Sequence, residues 1–321
     1  MRILRPVLLS TFILYLITII FGENLAALTE EYQTAPLYYA ELTNAETADE
    51  EIQESKQRGH LNTEWCLVPA GEFFFSENDT LLTIDYDYEI MKYEVTNAQY
   101  LQYLREAYAA GDIWVADNGV RWHYEGDHHY REGVKRLYAL GTEFYQNTSR
   151  ISYRKGQFFL NYPEEFSEED YLNHPVVYVS WFGALAFARH YGLRLPTDHE
   201  WEKAARGMTG NMYPWGDSID GSRANYFNSR DPWDNGTTPV GYFNGKNPGT
   251  TDSPSPYGVY DMAGNVLNWT GSWYGGSYPN RRVLRGGSWD DTPVILPSWS
   301  RYSSSMTCSD SDIGFRCART R

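Results

Sequence analysis

Few cysteines and a shortage of basic residues mark this sequence, and each scarcity excludes a class of protein. Only three of the 321 residues are cysteine, and no C-x-x-C pair occurs, which excludes a zinc ribbon and a thioredoxin-like motif. Acidic residues outnumber basic ones by 42 to 27, for a net charge of −15. Because phosphate contacts need clustered Lys and Arg, this balance excludes nucleic acid as an expected partner.

Long hydrophobic runs are also absent beyond the N-terminus. The mean hydropathy of −0.56 excludes a polytopic membrane protein. Arg2 and Arg5 precede residues 6–21, which are uncharged and mostly apolar. This length suits a signal peptide and falls short of the roughly 20 residues of a full span. We therefore predict a signal peptide or an uncleaved signal anchor at 1–22, export of the remainder, and contact with a membrane only through this segment.

Two regions of different composition follow. Glu23 to Ser55 carries nine acidic residues and no basic one, so residues 23–62 are predicted to be a solvated acidic spacer. The chain has 11 Trp, 27 Tyr and 27 Gly, a composition that favours a loop-rich fold held together by aromatic packing. We predict one folded domain over residues 63–321.

Local patterns predict several elements of this domain. Thr96 with Gln99, and Thr197 with Glu200, match capping boxes that open helices. Alternating or continuous apolar runs bounded by turn residues predict strands at 65–68, 72–75 and 176–179.

Residues 106–170 are predicted to be a loop-rich insertion, because they are polar and aromatic without sustained periodicity. Five potential metal ligands fall within seven residues of this insertion: His123, Glu125, Asp127, His128 and His129. Such side chains suit a transition metal. No helical or strand frame fixes their spacing, so a hydrated loop is the competing interpretation.

The stretch RVLRGGSWDD, residues 282–291, joins a basic strand to paired glycines. Gly286 and Gly287 permit a close backbone approach that a Cβ would block. Asp290 and Asp291 follow. Adjacent residues of a strand point to opposite faces, so these carboxylates are predicted to form a turn after the strand rather than an acid–base pair.

Eight ordered blocks resemble the formylglycine-generating enzyme, or sulfatase-modifying factor, family. In order they are WCLVPAGEF (65–73), YEVTNAQY (93–100), HPVVYVSW (174–181), RLPTDHEWEKAARG (194–207), YPWGD (213–217), YGVYDMAGNVLNW (257–269), RVLRGGSW (282–289) and GFRCA (314–318). The resemblance implies an α+β fold related to C-type lectins, with few regular elements, many loops and structural calcium. Its formylglycine-generating members use copper and oxygen to oxidise a sulfatase cysteine, and other members are iron-dependent sulfoxide synthases.

Copper chemistry is not expected for this sequence. In the formylglycine-generating members, two cysteines five residues apart follow the GGS block and bind copper. Aligned from that block, their positions fall on Asp291 and Leu296. Soft Cu(I) needs thiolate ligands, which a carboxylate and an aliphatic chain cannot replace. Cys317 lies in the terminal GFRCA block and Cys308 in a loop outside this spacing, so neither supplies a missing thiol.

The calcium sites of the family match oxygen-bearing positions of this sequence. The first site would use Asn225, Tyr226, Asp231 and Trp233. The second site would use Asp261, Gly264, Val266 and Asn268. Side-chain and carbonyl oxygens are the ligands that a hard cation prefers. The alternative is that these loops close through Asx hydrogen bonds without metal.

Three pairing states of the cysteines stay open: a Cys66–Cys317 disulfide, a Cys308–Cys317 disulfide, or none. The first rests on the expectation that the first and last strands of a lectin-like fold pair with each other. In the family, the usual partner of the terminal cysteine lies in the helix after the HPVV block, where this sequence has no thiol.

Two functional hypotheses follow, and whether the protein is an enzyme stays open between them. The first is an exported, calcium-stabilised domain without copper oxidase activity, which binds a peptide, protein or glycan in a cleft that retains Ser288, Trp289 and Trp269. The second is a metal-dependent oxidoreductase of the same superfamily, with iron or copper bound by histidines of the insertion. In the sulfoxide synthases the iron histidines come mainly from a preceding helical domain, whereas residues 1–64 contain only His60.

Overall fold

The structure is a computed structural model that describes residues 60–127, 130–140, 150–163, 166–233, 236–276 and 278–321. The predicted signal segment and nearly all of the predicted spacer lie outside these residues. No helix within the described ranges is both long enough and apolar enough to cross a bilayer.

The described residues form a mixed α+β fold with short elements. The helices are α1 (Asn97–Ala110), α2 (Glu168–Leu172), α3 (Trp181–His190) and α4 (Asp198–Arg206). The strands are β1 (Trp65–Val68), β2 (Gly71–Phe75), β3 (Thr80–Ile84), β4 (Tyr88–Met91), β5 (Ile113–Ala116), β6 (Gly119–Tyr124), β7 (Gly133–Ala139), β8 (Ile151–Arg154), β9 (Gln157–Leu160), β10 (Leu267–Gly275), β11 (Tyr278–Arg285), β12 (Arg301–Ser305), β13 (Ile313–Phe315) and β14 (Ala318–Thr320). The predicted fold class is confirmed.

Two sheets bring distant parts of the chain together. One has the order β12-β11-β10-β13, in which only β10 and β13 run parallel. The other has the order β1-β4-β14, so the last strand lies against β4 near the beginning of the domain. The described residues also form the sheets β2-β3, β5-β6-β7 and β8-β9, which contribute buried side chains to the hydrophobic cores.

Both predicted capping boxes are confirmed at the starts of α1 and α4. The backbone N of Thr96 donates to Gln99 Oε1 at 3.0 Å, and the side chain of Thr96 accepts from the backbone N of Gln99. Thr197 and Glu200 make the same two contacts at 2.8 and 3.1 Å. Each box satisfies two backbone donors that the first turn of a helix would otherwise leave unpaired.

Aromatic rings form much of the largest hydrophobic core. Tyr100 of α1 stacks on Phe187 of α3, with ring centroids 5.8 Å apart, and meets the edge of Phe315 of β13 at 6.2 Å. Trp269 of β10 is buried in the same cluster. A second cluster surrounds Trp201 of α4. Helices and sheets are therefore held together through ring contacts, as the composition indicates.

The predicted insertion at residues 106–170 contains short strands. Its first five residues complete α1, and β5 to β9 follow. Ile113, Val120 and Tyr124 are buried in the largest core. Strands of four to seven residues are too short to show a sustained period in the sequence.

The strand predicted at Val176–Val179 is wrong, although its valines are buried. The backbone N of Val176 donates to Val95 O at 2.8 Å, whereas that of Tyr178 donates to Asp310 O at 2.8 Å. Tyr178 also has a φ of 62°, in the left-handed region that interrupts an extended strand. The segment therefore bonds to several parts of the chain and joins no single ladder.

All three cysteines are free in the structure. The expectation that the first and last strands pair is wrong, because β4 lies between β1 and β14. Cys66 and Ala318, which follows Cys317, both pair with Ile90 of β4. Strands two positions apart in a sheet are separated by about 10 Å, beyond the roughly 7 Å that a disulfide spans between Cα atoms.

Candidate functional site

The turn after β11 is built around Gly286 and Gly287, whose φ angles are 94° and 70°. A Cβ on Gly286 would lie 3.1 Å from the ring of Trp201, and one on Gly287 would lie 3.0 Å from Leu296 Cγ. The close approach predicted for these glycines is confirmed. It places the loop after β11 directly against α4 and against Leu296.

Asp291 and Leu296, which the sequence blocks align with the two expected copper-binding cysteines, lie next to the same glycine. A Cβ on Gly287 would be 3.6 Å from Asp291 Oδ2 as well as 3.0 Å from Leu296 Cγ. Asp291 Oδ2 accepts hydrogen bonds from Ser288 N and Ser288 Oγ, both at 2.9 Å. Leu296 is fully buried and packs with Tyr213 and Ala263. The site thus holds an aliphatic chain and a hydrogen-bonded carboxylate where the family's chemistry needs two thiolates.

The predicted turn is also confirmed. Trp289 and Asp290 follow β11 as a turn, and the backbone N of Asp291 donates to Ser288 O at 3.2 Å. Burial raises the pKa of Asp291, and the hydrogen bonds from Ser288 oppose that rise. The carboxylate holds the turn closed, which accounts for it without a catalytic role.

The predicted cleft residues do not share an open surface. Ser288 and Trp269 are fully buried, and Trp269 donates its indole N–H to Val179 O at 3.0 Å. Trp289 is half-buried and donates to Ser311 O at 3.1 Å. The predicted cleft is therefore wrong for Ser288 and Trp269, because both side chains are buried, Trp269 within the largest hydrophobic core.

The second predicted calcium site contains a buried acid that the sequence reading missed. Glu94 is only 1% exposed and accepts hydrogen bonds from Asn268 Nδ2 at 3.0 Å and Asn265 Nδ2 at 2.8 Å. Arg316 Nε donates to Asn268 Oδ1 at 2.7 Å, and its Nη2 donates to Asp261 O at 3.2 Å. One feature of the sequence could have indicated that Glu94 is buried: it lies between Tyr93 and Val95 in the YEVTNAQY block.

This cluster has more negative than positive charge. Burial, followed by the nearby Asp261 carboxylate, raises the pKa of Glu94 well above its usual range. Burial also raises the pKa of Asp261 to about 6. Arg316 is the one guanidinium that lowers both pKa values. Two buried carboxylates facing one cation fit a divalent cation with oxygen ligands.

Two details define how well calcium would fit the second site. Asp261 Oδ2 accepts from Gly241 N at 2.6 Å. Asn268 Nδ2 donates to Val266 O at 2.9 Å, so the amide of Asn268 would have to turn over to offer its oxygen beside that carbonyl. The hydrogen bonds fix the present orientation, because Asn268 Oδ1 accepts from Arg316 Nε at 2.7 Å and from Trp201 Nε1 at 3.2 Å, so calcium would have to displace these two contacts. A Cβ on Gly264 would lie 2.1 Å from Asn225 O, so the two predicted sites adjoin.

The first predicted calcium site is a loop closed by its own hydrogen bonds. Asp231 accepts from Ser229 Oγ at 2.7 Å and from Trp233 N at 2.8 Å. Asn225 Nδ2 donates to Gly236 O at 2.9 Å, and Tyr226 O accepts from Ser229 N at 2.8 Å. These are the Asx contacts of the metal-free alternative. The described part of this loop, which leaves out residues 234 and 235, shows no excess of buried charge comparable with that around Glu94.

The histidines of the insertion are only partly placed, because His128 and His129 lie outside the described residues. His123 is exposed on β6. Asp127 accepts from Tyr124 Oη at 2.7 Å and from Tyr130 N at 2.6 Å, and lies 3.5 Å from the Arg282 guanidinium. Across the described ranges, no group of three or more His, Cys, Asp or Glu side chains could hold a metal ion.

Asp312 lies near the turn after β11, and the negative charges of the carboxylates there act on its side chain. Burial, and then the carboxylates of Asp310, Asp291 and Asp290, raise the pKa of Asp312 to about 6. The folded protein therefore binds a proton that the unfolded chain releases between about pH 4 and pH 6. Stability is lost as pH rises through this window.

Asp312→Asn is accordingly expected to stabilise the protein more at pH 7.5 than at pH 4.5, where only part of the loss has occurred. Because the carboxyl is partly solvated, we expect a gain of about 1 kcal/mol. Urea unfolding at both pH values measures it. Asp117→Asn, at an exposed site, is the control and should change neither value. Equal gains at both pH values would contradict the electrostatic origin.

Comparisons with known proteins agree with this geometry. The model of the family described as "Sulfatase-modifying factor enzyme 1-like domain" matches residues 49–321. "Serine/threonine-protein kinase pkn1" of Chlamydia pneumoniae is 32% identical over 281 residues, which is 80% of this chain and 38% of the relative. "Inactive C-alpha-formylglycine-generating enzyme 2" of Bos taurus is 39% identical over 154 residues, 46% of this chain and 50% of the relative.

Two further matches extend the comparison. "Formylglycine-generating enzyme" of Streptomyces coelicolor is 38% identical over 167 residues, 46% of this chain and 52% of the relative. This chain therefore spans about half or less of the curated relatives it matches. The structure titled "Crystal Structure of CarF" aligns with a TM-score of 0.53 and 24% identity, and covers 82% of this chain and all of that one. This likeness shows the fold alone.

Proposed function

This chain belongs to the family of sulfatase-modifying factor enzyme 1-like domains, and on that basis we propose that it is an exported binding or scaffolding module without copper-thiolate oxidase activity. One observation carries the proposal. Asp291 and Leu296 lie together beside Gly287, at the positions where formylglycine-generating members hold copper. Neither side chain is a ligand for Cu(I). Its ligand would be a peptide, a protein or a glycan.

The packing around Leu296 supports a binding role over a modified catalytic one. Leu296 is fully buried and fills the space between Gly264 and Gly287. Asp291 is occupied with the backbone and hydroxyl of Ser288. An acid that closes a turn and an aliphatic chain that fills a gap both contribute to a rigid surface. A rigid surface favours binding, because less ordering is needed when a ligand docks.

A sulfatase-motif peptide incubated with the protein, copper and a reductant is expected to stay unoxidised. The two thiolates that would hold Cu(I) are missing, so no oxidation should exceed that of a sample without protein. Mass spectrometry of the peptide measures aldehyde formation. The Streptomyces coelicolor formylglycine-generating enzyme is the positive control. Aldehyde above background would refute the proposal.

The double variant Asp291→Cys, Leu296→Cys gives this test a second readout. Both side chains lie within 4 Å of one point beside Gly287, so two thiols there would be close enough to share one Cu(I). Competition with a colorimetric Cu(I) chelator should show one bound ion in the double variant and none in the parent. Activity additionally requires a substrate-shaped surface and is not expected.

We further propose that calcium stabilises the domain at the second site, through Asp261, Gly264, Val266 and Asn268 with Glu94 beside them. Calcium would supply positive charge to a buried cluster in which two carboxylates face one guanidinium. Its preferred ligands are oxygens of the kinds that these residues carry. The first site, Asn225, Tyr226, Asp231 and Trp233, has weaker support, because its one carboxylate is already hydrogen-bonded within the loop.

A further inference from the structure

We propose that the surface above Leu296 binds a cationic, apolar segment of a partner polypeptide. This inference rests on the proposed binding function and names the ligand class and its location. The surface, called here the Val294 face, combines an apolar centre with an acidic rim. Its apolar side chains are Met212, Trp215, Tyr226, Phe227, Val294 and Ile295.

The apolar centre is exposed although it is continuous with a buried cluster. Val294 is 82% exposed and Phe227 46%, whereas Leu296 and Tyr213 beneath them are buried. Tyr213 stacks on Trp215 with centroids 5.9 Å apart, and its hydroxyl donates to Pro293 O at 3.0 Å. The neighbouring loops are therefore braced from below. Exposed apolar side chains on a rigid base are typical of a docking surface.

Hydrogen bonds tie the separate loops of the face into one surface. The backbone N of Phe227 donates to Asp291 O at 2.9 Å, which joins the Phe227 loop to the turn after β11. Trp289 Nε1 donates to Ser311 O at 3.1 Å, which joins that turn to the segment between β12 and β13. Each loop is held by its neighbour, so the face has a defined shape.

The rim of the face carries more acidic than basic side chains. Three segments contribute to it, residues 208–222, 286–300 and 302–315, and together they contain six aspartates and no Lys, Arg or His. The aspartates are Asp217, Asp220, Asp290, Asp291, Asp310 and Asp312. Two of them, Asp290 and Asp310, are exposed near the half-buried Asp312 and raise its pKa. Basic residues flank these segments, among them Arg223 and Arg230 on either side of Phe227, and Arg301, which pairs with Asp198.

Charge decides among the possible occupants. The chain's own residues 23–55 carry nine acidic residues and no basic one, so this segment would be repelled. A second copy of this protein, docked through the same face, would bring its six aspartates against these six, and the like charges would repel. Nucleic acids and anionic lipids carry the same sign of charge as the rim. A segment with Lys or Arg for the rim and aliphatic or aromatic side chains for the centre satisfies both parts of the face.

Three labelled twelve-residue peptides test the ligand class: alternating Arg and Leu, alternating Arg and Ser, and alternating Glu and Leu. Fluorescence anisotropy should show the Arg–Leu peptide binding at least tenfold more tightly than the other two. Its affinity should fall as NaCl rises from 50 to 300 mM, because salt screens exposed charges. Equal binding of the Arg–Ser peptide would overturn the proposal, since the apolar centre would then contribute nothing.

Matched variants test the location. Val294→Ser should weaken binding of the Arg–Leu peptide about fivefold, through the lost apolar contact. Val134→Ser, at an exposed valine of β7, should leave it unchanged. Asp290→Asn with Asp310→Asn should weaken binding several-fold at low salt. Asp85→Asn with Asp117→Asn, which makes the same charge change at exposed sites elsewhere, should not.

If the two double Asp→Asn variants weakened binding equally, the proposed location would be wrong. The peptide would then be attracted by the net charge of −15 of the whole chain alone. Absence of binding by the Arg–Leu peptide at millimolar concentration would overturn the ligand class. Either failure is distinguishable from failure of the proposed function, which depends on whether the protein generates an aldehyde in the sulfatase-motif peptide.

Discussion

Replacement of Glu202 with alanine is expected to lower the melting temperature by about 10 °C, the largest effect of any single change considered. Glu202 lies on α4 and is fully buried. Its Oε1 accepts from Ser76 N at 2.7 Å and from Arg206 Nη2 at 3.0 Å, and its Oε2 accepts from Arg285 Nη2. One carboxylate therefore joins α4 to β11 and to the turn after β2.

The size of the effect follows from what the substitution leaves behind. Arg206 and Arg285 are themselves fully buried. Burial raises the pKa of Glu202, and the two guanidinium groups oppose that rise. Removing one partner of a buried ion pair costs about 3 to 5 kcal/mol, because the other charge stays buried without compensation. In a domain of this size each kcal/mol corresponds to about 2 to 4 °C.

Thermal unfolding followed by circular dichroism measures the change. Glu77→Ala, in the exposed turn between β2 and β3, is the matched control and should shift the midpoint by less than about 1 °C. A shift of under 2 °C for Glu202→Ala would show that Asp79 and Asp198, which contact Arg206 and Arg285, compensate for the lost carboxylate.

Chelation of calcium is expected to lower the melting temperature by about 5 to 10 °C. Binding to the folded state alone contributes about 2.7 kcal/mol at a hundredfold excess over the dissociation constant. The contribution should come from the second site, where Glu94 and Asp261 are buried facing one guanidinium. Differential scanning calorimetry with excess calcium and with excess chelator measures it.

Two variants locate this calcium effect. Asp261→Ala and, separately, Glu94→Gln should each abolish the difference between the calcium and chelator curves. Asp117→Ala, at a 90% exposed side chain, should preserve it. Superimposable curves for the unaltered protein would remove calcium from the proposal. A calcium effect that survives in Asp261→Ala but disappears in Asp231→Ala would move the metal to the first site.

Patterns confined to a few neighbouring residues predicted structure correctly. The capping boxes at Thr96 and Thr197 give helices because both partners of each hydrogen bond lie within one turn. Gly286 and Gly287 have the positive φ that their pairing indicates. The absence of thiols at positions 291 and 296 is likewise a matter of sequence alone, and so is the ordered series of blocks that identifies the family.

Contacts between distant residues were decided by the tertiary structure. Glu94 meets Asn265 and Asn268 across more than 170 positions, and nothing near Glu94 in the sequence indicates this pairing. The burial of Trp269 depends on the core that it shares with residues as distant as Met91, and its indole N–H bonds to Val179 O, 90 positions away. The insertion of β4 between β1 and β14 separates Cys66 from Cys317. A capping hydrogen bond is determined by local backbone geometry, whereas burial, sheet order and charge clustering depend on which remote segments exclude water together.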